Sequence, residues 1–127
     1  MDCGRSILIV DPSEETREAL RAALEPRGVR ILAASQPRRG LALAREHHPD
    51  LIVLDLECQN STAAHGDATV AESLTREAPL LMLGTARRRP AHLPAGQFVS
   101  KPYHYAPLIR KIEELLAADG LSAAAAG

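Results

Sequence analysis

The chain has 127 residues, 46% of them hydrophobic and 24% charged, with a formal net charge of −1; that is enough for one domain and too little for two. A charge so near zero excludes a strong field toward nucleic acid or a membrane surface, and no apolar run is long enough to span a bilayer. Met1 to Ser6 does not read as a signal peptide, and Cys3 and Cys58 show neither metal spacing nor a disulfide pattern, so the expectation is a cytoplasmic protein with two free thiols.

Ser6 to Val10 is a β-branched apolar run that predicts a buried first strand ending on Asp11. Asp11-Pro12-Ser13-Glu14 predicts a helix start, with Asp11 as N-cap, Pro12 at the first helical position and Glu14 completing a capping box. That helix buries Leu20, Ala23 and Leu24 and stops at Pro26 and Gly28. Val29 to Ala34 predicts a second strand. Ser35-Gln36-Pro37 opens a second helix, with Leu41 and Ala44 inward, that closes over Glu46 to Pro49. His47 and His48 point about 100° apart on a helix and so read as helix-end histidines rather than metal ligands.

Leu51 to Leu54 is apolar without alternation, which predicts a strand covered on both faces at the centre of a parallel sheet. It ends on Asp55, at the sheet edge where open α/β sheets place their ligands. Cys58 to Gly66 reads as a loop, and Asp67 as the cap of a third helix with Val70 and Leu74 inward. Pro79 to Gly84 predicts a fourth strand, Gln97 to Ser100 a fifth, and a last helix carries Leu108, Ile109, Ile112, Leu115 and Leu116 on one face. The domain is expected over residues 1–119, with 120–127 a flexible tail or linker start. Alternating strands and helices imply an α/β fold with a parallel sheet. Right-handed crossovers make 2-1-3-4-5 the common strand order for five strands. Asp11 and Asp55 then stand side by side, with Lys101 at the same edge. From spacing alone two readings stay open: a phosphate and hard-cation site, or a helix cap with a lysine as simple counter-charge.

Ile7-Leu8-Ile9-Val10-Asp11, Pro49 to Asp55, Pro79 to Leu83 and Lys101-Pro102 resemble, in order and spacing, the receiver domain of bacterial two-component response regulators along almost the whole chain. The resemblance implies a flavodoxin-like doubly wound sheet, Asp55 as phosphoacceptor, Lys101 as the phosphate-binding lysine and a cis bond before Pro102. It implies Mg²⁺ held by Asp11, Asp55 and residue Glu57. It also implies a sensor histidine kinase or other signalling protein as partner, and a homodimer through a face near the fifth strand and last helix.

The departures from that family are specific. The second acid after the first strand is replaced by Pro12, a loss worth about 1–4 kcal/mol of cation binding, or roughly one to three decades. Glu14 or Glu57 can compensate in part. The family's switch hydroxyl falls on Gly84. Thr85 comes one residue late and alternation aims it elsewhere unless Gly84 forms a bulge. The aromatic partner of the switch is Phe98. Thr85 to Gly96 contains Pro90 and Pro94 and is too short for the family's fourth helix, so that helix is expected to be short or absent, with Arg87-Arg88-Arg89 on a rebuilt surface. The expectation is a signalling receiver domain with a degenerate acceptor site and weak phosphorylation, not an enzyme with turnover. The alternative is a phosphate-independent interaction module. A small flavodoxin-like nucleotide or flavin binder is a third class, disfavoured by the lack of a Gly-rich loop after the first strand.

Overall fold

The computed structural model describes residues 5–56, 73–85 and 98–126, with side chains as far as residue 117 in the last stretch. In chain order these residues form β1 (Ser6–Val10), α1 (Glu14–Leu24), a 3-10 turn (Glu25–Arg27), β2 (Arg30–Ala34), α2 (Pro37–His47), β3 (Leu51–Asp55), α3 (residues 73–77), β4 (Leu80–Gly84), β5 (Phe98–Ser100) and α4 (Tyr105–Ala126). All four strand pairings are parallel and the order is β2-β1-β3-β4-β5. This is the doubly wound α/β sheet that the alternation of elements predicts.

Strand alternation sorts the apolar residues into two cores. Ile7, Ile9, Leu51, Val53, Leu81 and Leu83 face Leu20 and Leu24 of α1 and Leu108, Ile112 and Leu116 of α4. Leu8, Val10, Ile52, Leu54, Leu80 and Met82 face Ala44 of α2 and Leu74 of α3. Because β1, β3 and β4 are covered on both sides, every residue in them is buried. At one end of the sheet Ser6 and Asp50 lock β1 to β3: the Ser6 amide donates to Asp50 Oδ2 at 2.7 Å, and the Asp50 amide donates to the Ser6 carbonyl at 2.8 Å.

Two expectations from sequence are corrected. The N-cap of α1 is Ser13, not Asp11. Ser13 Oγ accepts from the Thr16 amide at 3.3 Å, Pro12 lies ahead of the helix, and Glu14 is its first residue. Both residues are good caps, and Asp11 instead folds back on Ser13, as described below. At the other end of the chain, α4 continues through Ala126 rather than stopping before residue 120. Alanine is the strongest helix former, and a run of it carries the helix across Gly120 at a cost of about 1 kcal/mol. The stretch expected to lack a regular fourth helix (residues 86–97), with Arg87-Arg88-Arg89, lies outside the described residues, as do Glu57, Asp67 and Val70.

His48 ends α2 in the left-handed region at φ 51, its amide donating to the Ala44 carbonyl at 2.9 Å. Among the described residues no cluster of histidine, cysteine or acid is suited to a metal by three or more such side chains, and no helix is long and apolar enough to cross a membrane.

Gly40 sets the distance between α2 and the sheet. A Cβ there would stand 2.6 Å from Val10 Cγ2, inside van der Waals contact with a stiff β-branched side chain. Gly40→Ala is therefore expected to destabilise the fold by about 1–3 kcal/mol in urea denaturation. The cost should shrink in a Val10→Ala background, and an equal cost in both backgrounds would refute this account of the contact.

Candidate functional site

The register fixes what meets at the carboxyl edge. Val10 pairs with Leu54 and Leu83 with Asp55, so Asp11 and Asp55 follow on adjacent strands. Both are buried, at 2% and 4% exposure. Lys101 follows β5, and its amide donates to the Gly84 carbonyl at 2.8 Å. Its Nζ reaches across β4 to both carboxylate oxygens of Asp55, at 2.9 Å to Oδ1 and 2.8 Å to Oδ2. The Lys101–Pro102 peptide is cis, as the resemblance implies.

Asp11 is served differently. Its Oδ1 accepts from the Ser13 amide at 2.8 Å, while its buried Oδ2 has no hydrogen-bond partner. Arg17 Nη1 donates to the Asp11 backbone carbonyl at 2.6 Å, anchoring the start of α1 to the end of β1. Burial pushes the Asp11 carboxyl up to about 6, and the charge of Asp55 acts in the same direction; the Ser13 amide and Lys101 oppose them.

Gly84 closes β4 in step with its neighbour. Met82, Leu83 and Gly84 pair with Phe98, Val99 and Ser100 without a bulge. A Cβ on Gly84 would lie 3.1 Å from Leu56 Cδ1 and 3.2 Å from Leu56 Cβ. A side chain at 84 would thus press on Leu56, which would have to give by a few tenths of an ångström. Thr85 is exposed and lines an open depression with Lys101, Pro102, Tyr103 and Tyr105. Phe98 is half-buried against the core shared with α2 and α3, on the same face as Gly84 by alternation.

Sequence reasoning singled out Asp11, Asp55 and Lys101, and the structure brings them together. It passed over Ser13, Arg17 and the tyrosines. A signal for the tyrosines existed: the chain holds two Tyr, one Phe and no Trp, and all lie between residues 98 and 105. The Tyr103 and Tyr105 rings meet edge to face at 6.3 Å and 68°. Burial raises the Tyr103 hydroxyl well above the usual phenol range, and the charges of Asp11 and Asp55 add to the shift.

The fold is a five-stranded doubly wound sheet that gathers two acids and a Lys-Pro step at its carboxyl edge. The model of the response regulator receiver domain matches residues 7–113. The chain belongs to that family and is a receiver domain of two-component signal transduction. It is similar to the phosphate regulon transcriptional regulatory protein PhoB of Pseudomonas aeruginosa, 28% identical over 123 residues covering 92% of this chain and 54% of that protein. It also resembles the polar-differentiation response regulator DivK of Brucella ovis, 36% identical over 53 residues covering 42% of this chain and 43% of that protein. The chain thus spans about half or less of these relatives. A response regulator receiver modulated diguanylate cyclase from Pelobacter carbinolicus shares the fold with a TM-score of 0.70 at 23% identity, over 94% of this chain and 97% of that one. The receiver domain of the TMAO respiratory system response regulator TorR does so with a TM-score of 0.72 at 16% identity, over 90% and 98%.

Two predictions follow from this geometry. The native state holds the Asp11 proton more tightly than the unfolded chain, where the pKa is near 3.8. Stability should therefore fall by about 1–3 kcal/mol as pH rises through the window from about 4 to about 6. Asp11→Asn should flatten that slope in urea denaturation across the window; an unchanged slope would locate the titration elsewhere. At the other position, Gly84→Thr should lower the midpoint of thermal unfolding, and Leu56→Ala should recover part of the loss in the double variant. Strict additivity of the two changes would show that Leu56 is not the obstacle.

Proposed function

We propose that this receiver domain accepts a phosphoryl group at Asp55 through a degenerate site and does so weakly. The observation that carries the reading is the Lys101 ammonium on both oxygens of Asp55 at 2.8 and 2.9 Å, with Asp11 alongside. An Asp55 oxygen attacks the phosphorus of a phosphohistidine on a sensor kinase. The P–N bond breaks, the imidazole leaves with the electron pair, and an acyl phosphate forms on Asp55. Lys101 transfers its contact to a phosphoryl oxygen, where a compact cation offsets the new charge. The domain is consumed as the acceptor and turns over no substrate of its own.

The unpartnered Asp11 Oδ2 beside Asp55 suits a hard divalent cation such as Mg²⁺, which takes oxygen ligands and retains waters. Asp11 and Asp55 would hold it, with Glu57 a weak further candidate. Bound there, it would supply charge neutralisation for the phosphoryl oxygens. Pro12 offers no third carboxylate, which is why the affinity is set low. A second reading, a phosphate-independent interaction module, is favoured by Gly84, which carries no switch side chain and where a Cβ would press on Leu56. In either reading the partner is a sensor histidine kinase or another signalling protein in the cytoplasm, or a second copy meeting the face near β5 and α4. A net charge of −1 gives no pull toward nucleic acid.

An amide NMR titration with Mg²⁺ and then beryllofluoride, beside Asp55→Asn, separates the readings. Saturable shifts around Asp11, Asp55 and Lys101 that vanish in the variant are expected, together with a mass gain of one phosphoryl group on incubation with a phosphorylated kinase. No shift at millimolar Mg²⁺ would sink the acceptor reading and leave the interaction module.

A further inference from the structure

A phosphoryl group on Asp55 would bring three oxygens and close to two negative charges to an edge that already holds a second acid. Lys101 can cover one or two of those oxygens. The remaining demand is for neutral donors, which add hydrogen bonds without needing a counter-charge of their own. Gly84 closes β4 with no side chain, and a Cβ there would press on Leu56. Pro12 has no amide hydrogen, so the first backbone donor after Asp11 is Ser13, already committed to Asp11 Oδ1.

Tyr103 meets the need. It lies two residues beyond Lys101 and lines the same open depression with Lys101 and Thr85. Its ring packs against the core shared by α1 and α4, which anchors it. Its edge-to-face contact with Tyr105, whose hydroxyl is 3.5 Å from Thr16 Oγ1, fixes the ring from the other side. The phenol oxygen makes no hydrogen bond to another described residue. Burial, with the charges of Asp11 and Asp55 adding to it, keeps its proton on, so it stays a donor. Tyrosine also positions a hydroxyl with only two side-chain torsions to restrict.

We infer that Tyr103 is a phosphoryl-binding residue of this domain, donating its hydroxyl to the phosphorylated Asp55 and supplying beside Lys101 the neutral hydrogen bond that residue 84 does not provide. The inference rests on Asp55 being the acceptor. Tyr103→Phe removes one oxygen and keeps the ring, so the packing against Tyr105 and the core survives. In amide and ¹⁹F NMR titrations at fixed millimolar Mg²⁺, Tyr103→Phe should bind beryllofluoride about tenfold more weakly than the wild type. Its Mg²⁺ affinity in the absence of beryllofluoride and its unfolding midpoint should be unchanged. Beryllofluoride affinity within twofold of the wild type would overturn the role of Tyr103 alone. Equal losses for Mg²⁺ and beryllofluoride would also overturn it, since a disturbed acid pair then explains the result. A folded wild type that binds no beryllofluoride would overturn this role together with the acceptor reading.

Discussion

Everything at the carboxyl edge depends on one electrostatic constraint: two buried carboxylates end adjacent strands. At an effective dielectric near 20, like charges about 5 Å apart repel by roughly 3 kcal/mol, a large fraction of the stability of a small domain. The fold relieves this by treating the two acids unequally. Asp55 receives the Lys101 ammonium on both oxygens. Asp11 receives a backbone amide on one oxygen and is driven toward protonation. The lysine itself is steadied by the Gly84 carbonyl, which accepts from its amide, so β3, β4 and β5 all contribute to the placement of one cation.

Pro12 and Ser13 show how a change in sequence reshapes the site locally. A proline after Asp11 removes a backbone donor, and the helix begins at Glu14 behind the Ser13 cap. Ser13 then takes two tasks, offering its amide to Asp11 and its hydroxyl oxygen to the Thr16 amide. Arg17, one turn further on, holds the Asp11 carbonyl. The turn is thus held without an acid at residue 12. The turn is closed by ordinary hydrogen bonds, and the charge that a third carboxylate would have brought is simply missing from the pocket.

How legible this was in the sequence follows from which residues act through the chain and which through space. Unbroken apolar runs such as Leu51 to Leu54 announce a strand covered on both faces, and the acids that end them are carried to the edge by the sheet itself. Strand order follows from the handedness of crossovers. The N-cap was misread because Asp11 and Ser13 are both suitable caps two residues apart, and only the placement of Asp11 against Asp55 decides between them. The extension of α4 past Gly120 was missed because the small residues of 120–127 read as a tail, although alanine is the strongest helix former. Contacts such as Gly40 with Val10 or Gly84 with Leu56 depend on distances between layers and strands, to which periodicity is blind. Tyr103 was passed over for a similar reason: it follows a recognisable Lys-Pro step, yet its relation to the acid pair exists only in the folded edge.

The Gly84 and Leu56 contact also bears on how such a site changes over generations. With Leu56 little more than 3 Å from where a Cβ on Gly84 would stand, a single change to a hydroxyl-bearing residue at 84 would meet an immediate loss of stability. Residue 56 would have to be altered first, or together with it. The two positions are coupled through packing, so the bulk at residue 56 and any side chain at residue 84 are exchanged together or at a cost in stability.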